Sequence, residues 1–194
     1  FGNLSINKAG TSYTLSATSS PVLTGATSST FNITAGAATK LGFLQQPSNA
    51  AAGASISPAI TVQVLDASGN VVTTDNTTNV TLAIGTNPGG GTLSGTSTAK
   101  ASSGIATFSG LSINKAGTGY TLAATAGTLA GVTSSSFSIS IGAAAKLAFL
   151  QQPTNAVAGS SISPAITVQI QDAGGNPVTT DNTTGVTLAI GTNP

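Results

Sequence analysis

The stretch PAITVQVLD at 58–66 decides the fold, because it is written twice: it returns as PAITVQIQD at 164–172. Ile60, Val62 and Val64 alternate with Thr61, Gln63 and Leu65, the two-residue period of a strand that buries one face. The second copy supports that phase. Val64 becomes Ile170, one apolar side chain for another, whereas Leu65 becomes Gln171. A core position changes shape and a surface position changes polarity.

Working outward, FLQQP at 43–47 recurs at 149–153 and TTDNTT at 73–78 recurs at 179–184, both with a shift of 106 residues. LSINKAG at 4–10 recurs at 111–117 with a shift of 107, so a one-residue length difference lies between Thr18 and Phe31. Between 38–88 and 144–194, 41 of 51 positions are identical. A unit of this length is far above the roughly 20 to 45 residues of solenoid repeats and can hold its own core. The natural seams are TAGAATKL (34–41) and SIGAAAKL (140–147), where small residues separate two β-rich runs. Residues 1–36 then read as the C-terminal part of one repeat, 37–142 as a complete repeat and 143–194 as the N-terminal part of a third.

Two-residue periods recur at Val80/Leu82/Ile84, Tyr120/Leu122/Ala124 and Phe137/Ile139/Ile141. Between them DASGN (66–70), NPGGG (87–91) and SINKAGTGY (112–120) carry the Gly and Asn of tight turns. About seven short strands per repeat, with no helical period, predict an all-β antiparallel sandwich. Short seams place such sandwiches end to end, each adding on the order of 35 to 45 Å to a rod.

Composition narrows the function. The chain has no Cys, Met, Trp or His, and only 5% charged residues: five Lys and four Asp, net charge +1. It stays soluble through Ser, Thr, Asn and Gln, and a weakly charged surface favours lateral self-association or a coat of sugar. There is no basic, aromatic-interleaved patch for nucleic acid and no apolar run of the ~18 residues a membrane span needs. The missing Cys excludes disulfides and thiolate metal sites. With no initiating Met, the chain reads as a mature product or an internal piece.

TVQVLDASGNVV (61–72), TVQIQDAGGNPV (167–178) and GIATFSGLSINKAGTGYTL (104–122) together resemble the bacterial immunoglobulin-like repeats of large surface adhesins, the invasin and intimin group among them. The shared pattern is a strand ending D-A-x-G-N-x-V, then G-x-A-x-F-x-x-L-x-I, then G-x-x-Y-x-L, and it covers most of each repeat. The resemblance implies tandem Ig-like Greek-key sandwiches in an extracellular or cell-surface stalk or fibre, with Tyr120 and Tyr13 as corners that tie a loop down.

Candidate chemistry is sparse. Asp66 and Asp75 with Asn70 and Asn76, and Asp172 and Asp181 with Asn176 and Asn182, offer oxygen atoms at one sandwich end, a candidate calcium site; the competing reading is that Asp66 and Asp172 close Asx-turns. SINK at 5–8 and 112–115 and STAK at 97–100 fit S-x-x-K, with Ser5, Ser97 and Ser112 as nominal nucleophiles, but in a strand and turn context without the companion motifs. Lys40 and Lys146 invite a Lys–Asn crosslink, for which Asn32 is a candidate with Ser138 as its counterpart. Asn3, Asn32, Asn76, Asn79 and Asn182 head Asn-x-Ser/Thr sequons. No catalytic residue, cofactor or metal is assigned, and no enzymatic activity is expected.

The expected function is therefore structural: a segment of a fibre or adhesin stalk that associates with itself head to tail or laterally, with an adhesive module for a glycan or receptor as the alternative. The end pieces carry a further expectation. They supply the front and back of one repeat and lack only the counterpart of 89–107, so each should be completed outside a single compact chain, by a longer polypeptide or by a neighbouring copy.

Overall fold

The computed structural model describes residues 1–21 and 23–192, and the described residues form strands and turns without a helix; Asn193 and Pro194, the end of the repeated GTNP, lie outside them. Residues 1–36 hold β1 (Gly10–Tyr13), β2 (Ser16–Ala17), β3 (Ala26–Thr27) and β4 (Phe31–Ile33). The stretch 37–142 holds β5 (Ala38–Gln45), β6 (Ala50–Ala51), β7 (Ile60–Asp66), β8 (Asn79–Ile84), β9 (Leu93–Ser94), β10 (Thr98–Lys100), β11 (Ile105–Phe108), β12 (Ser112–Ile113), β13 (Gly117–Tyr120), β14 (Leu122–Ala126), β15 (Leu129–Thr133) and β16 (Phe137–Ser140). Beyond the second seam lie β17 (Ala144–Gln151) and β18 (Thr167–Asp172). The central stretch thus has more strands than the roughly seven a simple sandwich count predicts. Three of them, β6, β9 and β12, are only two residues long.

The alternation at 58–66 became β7 in the phase read from the sequence: Ile60, Val62 and Val64 are fully buried while Thr61, Gln63 and Leu65 are half-buried. Val80, Leu82, Tyr120, Leu122, Ala124, Phe137 and Ile139 join them. Each fully buried Phe108, Ile60, Leu111 or Leu122 side chain contributes about 1.5–3 kcal/mol relative to exposure. Ile141 departs from its period and is exposed, because β16 stops at Ser140 and Ile141 lies in the seam.

Seven strands form one sheet in the order β10-β8-β14-β15-β5-β7-β11. Its neighbours are antiparallel except β15 and β5, which meet at the parallel bridge Ala130↔Lys40. The end strands β10 and β11 come into contact beside the Ser102↔Ile105 bridge, so the sheet nearly closes and leaves little open edge. The smaller sheets β13-β16-β6 and β12-β9 send Ile113, Tyr120, Phe137 and Ile139 into the same core cluster as Ile60, Val62 and Leu82.

The flanks repeat fragments of this register. Pairing of β17 with β18 sets Ala144 opposite Asp172 and Leu147 opposite Ile170, as β5 and β7 set Ala38 opposite Asp66 and Leu41 opposite Val64. Likewise β1 and β4 pair Tyr13 with Phe31 as β13 and β16 pair Tyr120 with Phe137. Local pairing is all they reach: the buried hydrophobic side chains of the described residues all fall between Leu41 and Ile139.

Candidate functional site

DASGN folds as the turn its glycine and asparagine predict. The Asp66 amide donates to the Asn70 carbonyl at 2.9 Å and the Gly69 amide to the Asp66 carbonyl at 3.1 Å, with Gly69 at φ +87°, a left-handed position that glycine occupies without strain. The Asp66 carboxylate then gathers three donors: the Asn70 amide at 2.8 Å, the Asn70 side-chain amide at 2.9 Å and the Gly36 amide of the seam at 2.9 Å. Fixing Asn70 in this way points its side chain across the seam.

What Asn70 meets there is the SINKAG loop of the preceding repeat. Its Nδ2 donates to the Asn7 carbonyl at 2.9 Å, and its Oδ1 accepts the Ala9 amide at 2.9 Å. The second seam repeats the arrangement atom for atom. Asp172 accepts the amides of Asn176 and Gly142 at 2.8 and 2.9 Å and the Asn176 side-chain amide at 2.7 Å. In turn Asn176 donates to the Asn114 carbonyl at 2.9 Å and accepts the Ala116 amide at 3.1 Å. Two separate seams therefore carry one clasp, built from an aspartate that orients an asparagine and an asparagine that reads two backbone groups of the neighbouring repeat.

The receiving loop is anchored from below. Tyr120, fully buried and 6.1 Å from Phe137 between ring centroids, donates its hydroxyl to the Lys115 carbonyl at 2.9 Å. Tyr13 does the same to Lys8 at 3.0 Å. This is the loop tie anticipated for both tyrosines, and the residue it holds, Lys115 or Lys8, lies directly between the two residues whose backbone groups the clasp takes.

The seams differ in closeness. At the second, Asp172 and Asn176 are both buried, and Lys115 Nζ adds a bond to the Gly175 carbonyl at 3.3 Å. A Cβ at Gly174 would overlap the Asn114 carbonyl oxygen, so only glycine permits this approach. Ser68 stands at the corresponding position of the first seam, where Asn70 is only half-buried.

Electrostatically the clasp holds its carboxylates ionised. Asp66 is lowered to about 2, chiefly by the Asn70 side-chain amide and then by the Gly36 amide. Burial by itself would raise Asp172, but the Asn176 amides and the Gly142 amide outweigh it and keep it below the ordinary carboxylate range. Asp75 is also lowered, burial being outweighed by the Thr78 hydroxyl and the Thr77 and Thr78 amides. The Thr184 hydroxyl, with the Thr183 and Thr184 amides, takes Asp181 to about 2.

These contacts bear on the candidate calcium ligands. Asp66, Asp75, Asp172 and Asp181 each face N–H and O–H donors of their own turns, whose hydrogens stand where a cation would have to sit. No group of three or more acidic, His or Cys side chains is gathered among the described residues. Asp66 and Asp172 cap their turns through their own side chains, as the Asx-turn reading expects.

The remaining candidates are placed separately. Ser112 lies in β12 while Lys115 reaches across the seam to Gly175. Lys40 and Lys146 donate to the Ala67 and Ala173 carbonyls at 3.1 and 3.2 Å, and Asn32 accepts the Ser12 amide at 3.0 Å; the structure does not bring these lysines to Asn32. The sequon residues Asn3, Asn32, Asn76, Asn79 and Asn182 are all exposed. Sequence reasoning weighed Asn70 and Asn176 only as companions of the aspartates, in a candidate calcium site or beside an Asx-turn, and missed their partners Asn7 and Asn114. The available signal was that SINKAG is identical in both copies although it is a turn, where packing alone demands little. Comparison with protein-family models and with curated proteins finds no match to the chain.

Proposed function

We propose that the chain is a structural segment of a secreted or cell-surface fibre or adhesin stalk, built of tandem Ig-like β-sandwiches with 1–36, 37–142 and 143–194 as successive parts. The observation that carries this reading is the same Asp–Asn clasp at both seams. A flexible tether needs no such contacts, and relative motion is the default for linked units unless something fixes the interface. A clasp repeated at every seam sets one angle per repeat, and identical angles generate a stiff rod or a regular helix. The role is geometric: the number of repeats sets length, and the clasps set stiffness.

Spin labels test it. The chain has no Cys, so Thr128→Cys with Thr180→Cys, both exposed and on opposite sides of the second seam, give one label pair and one distance distribution by pulsed electron resonance. A narrow distribution that broadens on Asn176→Ala is expected. A broad distribution in the parent pair, unchanged by Asn176→Ala, defeats the stalk reading.

A further inference from the structure

The loop that joins β8 to β9 is GTNPGGGT at 85–92, and two of its three consecutive glycines face inward. Gly91 is buried and Gly89 half-buried. A Cβ at Gly89 would overlap the Ala116 carbonyl oxygen and the Tyr120 hydroxyl, and one at Gly91 would stand 2.6 Å from Ile113 Cγ2 and 2.9 Å from the Tyr120 hydroxyl. The backbone lies this close to the 113–120 loop because both positions lack a side chain. Gly90, between them, is different. It is exposed, and a Cβ there would meet nothing within 4 Å.

Three sets of bonds hold the loop in that place. At its entrance the Gly85 and Thr86 amides donate to the Thr121 carbonyl and hydroxyl, each at 2.8 Å. In its middle Asn87 spans it with both side-chain atoms, Nδ2 donating to the Gly91 carbonyl at 2.8 Å and Oδ1 accepting the Gly91 amide at 2.7 Å. At its exit the Thr92 amide donates to Asn114 Oδ1 at 2.7 Å. The residues it backs are the ones the clasp uses from the other side. Asn114 gives its carbonyl to Asn176 and its side chain to Thr92; Ala116 gives its amide to Asn176 while its carbonyl lies against Gly89.

We propose that residues 87–92 are a strap that sets the receiving loop for Asn176, with Asn87, Gly89, Gly91 and the Asn114 side chain as positioning residues of the junction. Asn176 reads a carbonyl and an amide two residues apart, and a hydrogen bond weakens steeply once its donor turns away from the acceptor. Tyr120 pins the Lys115 carbonyl between them. The strap holds the residues on either side, so both groups point outward together. Strap and receiving loop belong to one repeat, so the junction surface is organised without help from the next, which lowers the ordering cost of closing the seam.

The proposal rests on the clasp of the stalk reading, and label distances separate the two. In the Thr128→Cys, Thr180→Cys pair, Asn114→Ala removes the strap's acceptor but leaves the carbonyl that Asn176 uses, and Gly89→Ala pushes the strap off Ala116. Both are expected to broaden the distance distribution and to speed exchange of the Ala116 amide, by about 2- to 10-fold for Asn114→Ala, with the Val64 and Leu82 amides unchanged. Gly90→Asn, which suits the left-handed φ of +62° there, should leave both readouts at the parent values. With Asn176→Ala already present, neither Asn114→Ala nor Gly89→Ala should broaden the distances further, because the strap acts through the clasp. A parent distribution that broadens with Asn176→Ala but not with Asn114→Ala or Gly89→Ala overturns the strap and leaves the stalk reading standing. Equal acceleration at Ala116, Val64 and Leu82, or further broadening beside Asn176→Ala, also overturns the strap alone. A parent distribution already broad, and unchanged by Asn176→Ala, overturns both.

Discussion

Replacing Asn176 by Ala removes the group that spans the second seam while leaving both repeats' cores untouched. Two bonds between repeats are lost, Nδ2 to the Asn114 carbonyl and Oδ1 from the Ala116 amide. Each is a neutral, partly buried bond with a net contribution of about 0.5–1.5 kcal/mol, so the closed seam loses about 2 kcal/mol. Asp172 keeps the backbone amides of Asn176 and Gly142, so the turn itself should survive. Two kcal/mol corresponds to about a 30-fold rise in the open population. Hydrogen exchange reads this at one atom. The Ala116 amide should exchange about 30-fold faster in the variant, while the Val64 and Leu82 amides of the central sheet, bonded to the Gly104 and Ser97 carbonyls, should not change. Unchanged exchange at Ala116, or an equal increase at all three amides, refutes the clasp: the first would mean the seam is held by something else, the second that Asn176 supports the repeat rather than the junction.

Other consequences are separable. Tyr120→Phe deletes only the hydroxyl that holds the half-buried Lys115 loop, and urea denaturation should show the central repeat less stable by about 1–3 kcal/mol; a smaller Ala116 exchange increase should accompany it. Gly174→Val forces a side chain into the Asn114 carbonyl and should open the second seam at least as far as Asn176→Ala, whereas Gly174→Ser, which copies Ser68 of the first seam, should be milder by the same exchange assay. Acid should open both seams. The folded-state values of Asp66 and Asp172 lie below the ordinary carboxylate value, so their stabilisation is fully present above that value and is lost as pH falls through the depressed one. The label distance across the second seam should therefore be constant from neutral pH down to about 4 and broaden below it, and a distribution that broadens already near neutral pH would contradict the assignment.

Much of the chain could be read without its structure because its repeats comment on each other. Val64 becoming Ile170 and Leu65 becoming Gln171 fix the phase of β7 as surely as the burial of Val64 does. The turn at DASGN and the tie from Tyr120 were legible for the same kind of reason, since left-handed glycine and a tyrosine after a glycine turn are local requirements. The clasp was not. Asn70 and Asn176 lie 63 and 62 residues from the carbonyls they reach, and no local pattern links a turn in one repeat to a loop in the one before. The same limit applies to the aspartate turns: spacing marks Asp66 and Asp172 as turn residues, but which N–H groups their carboxylates accept is visible only once the chain is folded.

Sequence by itself determined the strand period and the repeat length, because alternation and recurrence are properties of the chain taken in order. Only the tertiary structure decided that the sheet nearly closes on itself, that the seams are clasped rather than merely short, and that Leu15 and Leu188 are exposed where Leu122 and Leu82 are buried. Burial and hydrogen bonding depend on which distant segment arrives opposite a residue, and the same leucine is core or surface according to whether that segment is there.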